Sequence, residues 1–380
     1  MKRFLLAPDS FKSTLSAAQV CDIQTRAIQS HFPDADIRAI PMADGGEGMV
    51  DAYLHILGGK RVRIPVTAPL GGTTDAAYGI LPDGSAVMEM ASAAGLPLVL
   101  GRENPLEATT WGVGELLLHV AGNGVRRVLI GLGGSCTNDC GIGMAAALGY
   151  RFLDRQGDTV TPLAKNLSRI EKILPPVHLP PLEIRAACDV TNPLLGPRGA
   201  THTFGPQKGA NPQMVAQLEA GMSHFAQVLE DFSGIAVGQL PRAGAAGGMG
   251  AAVVALLGGQ LVPGAELLLD SVGFDTLLEQ ADMVFTGEGR IDWQSVSGKV
   301  PGTVAARCRK ANVPCIALCG SVGRGAEDLY DAGIAAIFSA VRGAADFDSI
   351  RETCAEDLFF LTDAVVRLLA LSREIPGWHS

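Results

Sequence analysis

Met283-Val284-Phe285-Thr286-Gly287-Glu288-Gly289-Arg290-Ile291-Asp292 carries the pattern on which the fold turns: a short apolar run that breaks directly into glycines, carboxylates and a cation. Phe4 to Ala7, followed by Pro8, Asp9, Ser10 and Lys12, repeats the plan at the other end of the chain. Short apolar runs of this kind read as strands of a parallel sheet buried on both faces, and the loop after each strand lies at the carboxyl edge, where open α/β sheets bind ligands.

Between these ends the pattern alternates. Ser16 with Gln19 three residues on has capping-box spacing, and Val20, Ile23, Ala27 and Ile28 fall on one helix face. Ile37 to Met42 reads as a second strand, Ala43 to Gly48 as a loop, and Met49 to Leu57 as a helix stopped by Gly58 and Gly59. Two parallel strands make no stable sheet alone, so they need the short apolar runs of the C-terminal third: Met283 to Phe285, Cys315 to Leu318 and Ala335 to Phe338. The expectation is a doubly wound α/β domain built from residues 1–65 and 266–380. In the insert, 66–265, Ala76 to Ile80, Pro82-Asp83-Gly84 and Ala86 to Met90 form a hairpin signature, Arg127 to Gly131 is a strand, and Asn211-Pro212 caps an amphipathic helix. These elements imply a second α/β domain with a mixed sheet, and 380 residues suit two domains.

Composition narrows the function. A net charge of −9 disfavours nucleic acid and anionic lipid as partners, and 47% apolar against 18% charged residues excludes disorder. The N-terminus shows no signal peptide, which points to the cytoplasm, and the glycine-broken stretch Ala243 to Ala265 reads as a buried loop and helix, not a membrane span. Eight cysteines are too sparse for a disulfide scaffold and lack zinc-knuckle spacing. Whether copies associate into a homo-oligomer is left open.

Five polar loops come after predicted strands: Asp9-Ser10-Phe11-Lys12; Asp44-Gly45-Gly46-Glu47-Gly48; Gly133-Gly134-Ser135-Cys136-Thr137-Asn138-Asp139; Asp189-Val190-Thr191-Asn192; and Thr286 to Asp292. Their shared position implies a cleft between domains. Carboxylates recur in them without histidine, and Lys12, Lys208, Arg290 and Lys299 lie in or beside them. Hard oxygen ligands suit Mg2+, while cations and glycine amides suit phosphate, so the set fits phosphoryl transfer. For any one carboxylate, a helix cap or a solvated turn explains it equally well. No Walker A motif, no helix-opening dinucleotide fingerprint and no nucleophile elbow occurs, which disfavours P-loop ATPases, NAD enzymes and serine hydrolases.

On Asp9 to Lys12, Ala43 to Gly48, Gly133 to Asp139 with Gly141, Gly143 and Met144, and Cys188 to Pro193, the sequence resembles the type 1 glycerate kinase family. The likeness continues through Phe204 to Ala210, Gly244 to Gly250, and Thr286 to Asp292 with Gln294, Ser295, Gly298, Lys299 and Pro301. It covers essentially the whole chain. It implies a Rossmann-like or flavodoxin-like domain made by both termini with an inserted α/β domain, and transfer of the ATP γ-phosphate to D-glycerate with Mg2+, giving 2-phosphoglycerate. A 3-phospho product, another small hydroxy acid, an oxidoreductase and a non-catalytic organic-acid binder are the rivals. Cys136, Cys140 and Trp293 stand where the family usually has small or small polar residues.

The working assignment makes Asp189 the acceptor of the substrate hydroxyl proton, and Lys12 and Arg290 the holders of carboxylate and phosphate in either order. Glu288, Asp292 and Asp44 are the candidates for Mg2+. Asp9, Ser10, Gly45, Gly46, Glu47, Gly133, Gly134, Ser135, Thr137, Asn138, Asp139, Asn192, Gln207, Lys208, Gln294, Ser295 and Lys299 complete the expected binding loops.

Overall fold

The computed structural model describes residues 2–42, 46, 48–296, 299–343 and 346–371. The chain divides into two compact units, 1–44 with 265–380, and 45–264. The first holds a five-stranded sheet ordered Ile334–Ser339, Cys315–Cys319, Met283–Gly287, Arg3–Pro8, Asp36–Ala39, with every neighbouring pair parallel. Numbered along this unit the order is 2-1-3-4-5, the flavodoxin-like winding, whose switch point lies between its first and third strands. Those strands are Arg3–Pro8 and Met283–Gly287, paired from Phe4↔Met283 to Pro8↔Gly287.

Local chemistry explains these elements. Leu6, Phe285 and Leu318 are buried in one apolar cluster with Val20, Ile23 and Ile28 of the Ala17–Gln29 helix. That helix opens on the expected capping box, the Ser16 hydroxyl accepting from the Gln19 N–H while the Gln19 side chain accepts from the Ser16 N–H. Where the chain returns from the insert, Arg307 donates to Glu266, Asp270 and Asp275 at 2.5, 2.6 and 3.2 Å. One guanidinium thus ties the Val300–Ala311 helix to the returning segment.

The second unit holds a six-stranded mixed sheet: Gln260–Val262, Glu183–Ala187, Arg127–Gly131 and Ala86–Glu89 run parallel, then Thr73–Ile80 and Lys60–Thr67 complete it antiparallel. The hairpin turns at Leu81 to Ser85, and Asn211 caps the Pro212–Ser233 helix through the Met214 N–H.

Two expectations need correction. Residues 45–65, assigned from sequence to the first domain, lie in the second unit: Lys60–Thr67 pairs along its whole length with Thr73–Ile80, and the Val50 N–H donates to Glu89 Oε1 at 2.8 Å. The alternation of Arg61 to Val66 fits a half-exposed strand of this mixed sheet, and it is the boundary at residue 65 that falls too late. The glycine-rich stretch 243–265, read as loop and helix, also contains the edge strand Gln260–Val262. No helix among the described residues is long and apolar enough to cross a membrane.

Gly287 closes the central strand pair. A Cβ built there would lie 1.8 Å from the Leu318 carbonyl oxygen of the neighbouring strand. Gly287→Ala must push these strands apart and is expected to cost about 3 kcal/mol or more of stability, measured by denaturant unfolding.

Candidate functional site

In the first unit the switch point gathers the loops after Arg3–Pro8 and Met283–Gly287. Asp9 is buried, its N–H donating to the Gly287 carbonyl at 2.8 Å and its carboxylate accepting the Ser10 N–H at 2.7 Å. Gly289 lets the second loop lie on the first, since a Cβ there would sit 3.2 Å from the Phe11 Cα. The neighbouring Lys12 is exposed.

Glu288 is buried at this junction. Its Oε2 is 3.6 Å from Lys299 Nζ, while Oε1 has no hydrogen-bond partner among the described residues. Burial pushes its carboxyl up, against the pull of Ser295, Lys299 and Lys12. Asp292 faces Arg290 Nε at 3.5 Å through Oδ2, and its Oδ1 accepts the Gln294 N–H at 3.0 Å, so it also caps the turn Trp293–Val296. Ser295 is buried in that turn, and its hydroxyl accepts the Asp292 N–H at 3.1 Å. Arg290 and Gln294 are exposed.

In the second unit the Gly133–Asp139 loop succeeds Arg127–Gly131. Gly133 and Gly134 are at least partly exposed, and Gly134 takes a φ of +75°. From Ser135 onward the loop is buried. Asp139 accepts from Thr110 N and Oγ1 at 2.9 and 2.8 Å and from the N–H groups of Gly141 and Gly143 at 3.1 and 3.3 Å. Burial pushes its carboxyl up against these four donors. Lys208, only 2% exposed, donates to Ser135 Oγ at 2.8 Å and the Thr137 carbonyl at 2.6 Å, and burial brings its ammonium down to about 8. Asn138 donates to Thr201 Oγ1 at 3.1 Å, whereas its Oδ1 and Thr137 Oγ1 are buried without hydrogen-bond partners among the described residues. Gly247, at φ +68°, admits this loop: a Cβ there would stand 2.1 Å from the Thr137 carbonyl.

Asp189 comes just after Glu183–Ala187, its Oδ1 accepting the Gly264 N–H at 2.9 Å, and Arg242 Nε donates to the adjacent Cys188 carbonyl at 3.2 Å. Asn192 holds its own loop through the Arg198 carbonyl and Thr203 Oγ1, at 2.7 and 3.3 Å. Gln207 is exposed and Gly46 half-buried, while Asp44, Gly45 and Glu47 lie outside the described residues.

Within the first unit the structure therefore brings Asp9, Ser10, Lys12, Glu288 and Lys299 to the switch-point junction and joins them in chain to Arg290, Asp292, Gln294 and Ser295. Within the second it brings Ser135, Thr137, Asn138, Asp139 and Lys208 into one buried network. Thr110, Thr201, Arg242 and Gly247 complete these arrangements although their residue types give no sign of it in the sequence; only Gly247 lies in a family motif. The thiols of Cys136 and Cys140 are buried and pushed up, Cys136 to about 12, so neither is poised as a thiolate. No group of three or more His, Cys, Asp or Glu side chains among the described residues is gathered as a metal site.

A flavodoxin-order sheet whose switch point carries carboxylates and lysines, without a dinucleotide fingerprint, suits one class of protein, the phosphotransferases. Comparison with known proteins makes this particular. The model of the glycerate kinase family matches residues 4–370, and the chain belongs to that family. A glycerate kinase from Halalkalibacterium halodurans is 43% identical over 346 residues, 90% of this chain and 91% of that one. The glycerate 2-kinase of Escherichia coli is 41% identical over 381 residues, 99% and 100% of the two chains. A crystal structure of a candidate glycerate kinase 2 from Salmonella typhimurium superposes with a TM-score of 0.86 at 38% identity, covering 98% of this chain and 100% of that one. The protein is thus a kinase, a phosphotransferase with an alcohol acceptor, and the family implies ATP as co-substrate.

The buried carboxyls give two expected outcomes. Removing Asp139 leaves four donors unmatched in the interior, so Asp139→Ala is expected to lose about 3 kcal/mol or more of stability, measured by urea unfolding. Glu288 holds its proton more tightly in the native than in the unfolded chain. Its contribution is present below the ordinary carboxylate range and is lost as pH rises through the raised native value. Glu288→Gln removes that loss, so the variant is expected to melt above wild type at neutral pH and level with it near pH about 4; a variant that falls further below wild type as pH rises from about 4 to neutral would make the charge a net stabiliser.

Proposed function

We propose that this kinase transfers the γ-phosphoryl group of ATP to the 2-hydroxyl of D-glycerate, with Mg2+. The observation that carries the reading is the Glu288–Lys299 pair, with Lys12 and Asp9, at the switch point of a chain belonging to the glycerate kinase family. The name of the E. coli relative, glycerate 2-kinase, favours the 2-phospho product.

Asp189, its Oδ1 oriented by the Gly264 N–H, accepts the proton of the attacking hydroxyl. The substrate oxygen bonds to the γ-phosphorus, the bond from that phosphorus to the bridging oxygen breaks, and ADP leaves with the electron pair. Exposed Lys12 and Arg290 hold the glycerate carboxylate and the ATP phosphates, and the amides of the Gly133 loop add donors. Lys208 and Asp139 hold the Gly133 loop in shape from beneath, through their contacts to Ser135, Thr137 and Thr110. Mg2+ is ordinarily bound by one or two carboxylates together with phosphate and water. Glu288, with a buried unpartnered oxygen, and Asp292 meet that requirement, with Asp44 a third candidate. Bound there, the ion neutralises charge on the transferring phosphates. The substrates are small molecules, and the site of action is the cytoplasm.

Incubation with ATP, Mg2+ and D-glycerate followed by phosphorus NMR is expected to show 2-phosphoglycerate. A 3-phospho product would reassign the acceptor oxygen, and turnover confined to another hydroxy acid would reassign the substrate. Asp189→Asn is expected to lower kcat about 10²-fold or more; a kcat within about threefold of wild type, less than any general base contributes, would pass the proton to another group.

A further inference from the structure

Trp293 is left in water in a place where its backbone is fixed. Its side chain is 65% exposed, although its N–H donates to the Arg324 carbonyl at 3.1 Å and its Cβ lies where a Cβ on Gly325 would come within 2.7 Å. Gly325, at φ +80°, is what allows this approach. The indole opens the turn Trp293–Val296, in which Ser295 is buried, and it stands directly after Asp292, the partner of Arg290. Arg290–Ile291 pairs in parallel with Ser321–Val322, whose Val322 is exposed, and the turn packs on the Asp328–Ala332 helix that carries exposed Tyr330.

Arg290 and Lys299, cations suited to polyphosphate, and Asp292, a candidate for the Mg2+ that accompanies it, thus share a segment of chain with a solvent-facing indole on an ordered backbone. An aromatic of this size is ordinarily buried, and an exposed one whose backbone is already ordered offers contact area at little entropic cost. The two halves match the two halves of a nucleotide: charge for the phosphates and a π-face for the base. We propose that Trp293 is the platform on which the adenine of ATP stacks. This rests on the reading of ATP as co-substrate and adds where its base lies.

Calorimetric titration of the full-length protein with MgATP and with inorganic tripolyphosphate separates stacking from loop integrity. Trp293→Ala is expected to raise the Kd for ATP about tenfold or more, the order of one base–aromatic stack, and to leave tripolyphosphate within about twofold. Trp293→Phe, which keeps a π-face, is expected to recover most of the ATP affinity. Equal ATP affinity in Trp293→Ala and wild type, equal losses for both ligands, or a Phe variant as weak as the Ala variant would each overturn the proposal. So would wild-type indole fluorescence that responds to protein concentration and not to nucleotide, which would mark a contact between copies. The readout needs no turnover: a wild type that binds ATP through Trp293 but leaves D-glycerate unphosphorylated would sink the glycerate reading and sustain this one.

Discussion

The parallel pairing of Arg3–Pro8 with Met283–Gly287 is the constraint on which the first unit's chemistry depends. It aligns Pro8 with Gly287, so the residues that come next, Asp9 and Glu288, leave the sheet at the same edge. The pairing tolerates no side chain at Gly287, where the neighbouring Leu318 carbonyl fills the space. Inside the sheet Phe4 stacks on Phe285 with centroids 6.0 Å apart, and at its edge the Thr286 hydroxyl donates to the Ala7 carbonyl at 2.8 Å. Apolar packing and a ladder without room to slip thus hold carboxylates where they would otherwise drift apart.

The second unit solves a different problem. Its Gly133–Asp139 loop is buried from Ser135 onward, and most of the polar groups it takes from water find partners, Thr137 Oγ1 and Asn138 Oδ1 being exceptions among the described residues. Asp139 answers for Thr110, Gly141 and Gly143, and Lys208 answers for Ser135 and Thr137. Burying an ammonium and a carboxylate is costly, and their contacts offset that cost only in one arrangement. The reward is rigidity under the glycines at the loop's start, Gly133 and Gly134, which stay at least partly exposed.

Much of this is legible in the sequence because it is written locally. An apolar run that breaks into glycine and carboxylate marks a strand and the polar loop that ends it, as it does at Phe4–Ala7, Arg127–Gly131 and Met283–Phe285. Ser16 with Gln19, and Asn211 with Pro212, mark their helices by spacing alone. The parts that cannot be read depend on distant partners. Lys208, between Gln207 and Gly209 in a polar segment, looks solvated, yet its hydrogen-bond partners lie 73 and 71 positions away. Thr110 and Arg242 carry no local sign of the groups they serve. The boundary at residue 65 fails for the same reason: the alternation of Arg61 to Val66 fits the mixed sheet, but where that unit begins is decided by distant contacts such as Val50 with Glu89.

The insertion has a consequence for how the molecule is made. Residues paired at the centre of the first sheet stand 279 positions apart, and the whole of 45–264 emerges from the ribosome between them. The early strand Arg3–Pro8 must wait with its hydrogen-bonding edge unsatisfied, while the contiguous unit has all its own strands to hand and completes itself first. Nascent-chain order therefore runs opposite to numbering: the middle of the gene product matures before its beginning, and only synthesis of the last third releases the opening strand from its wait.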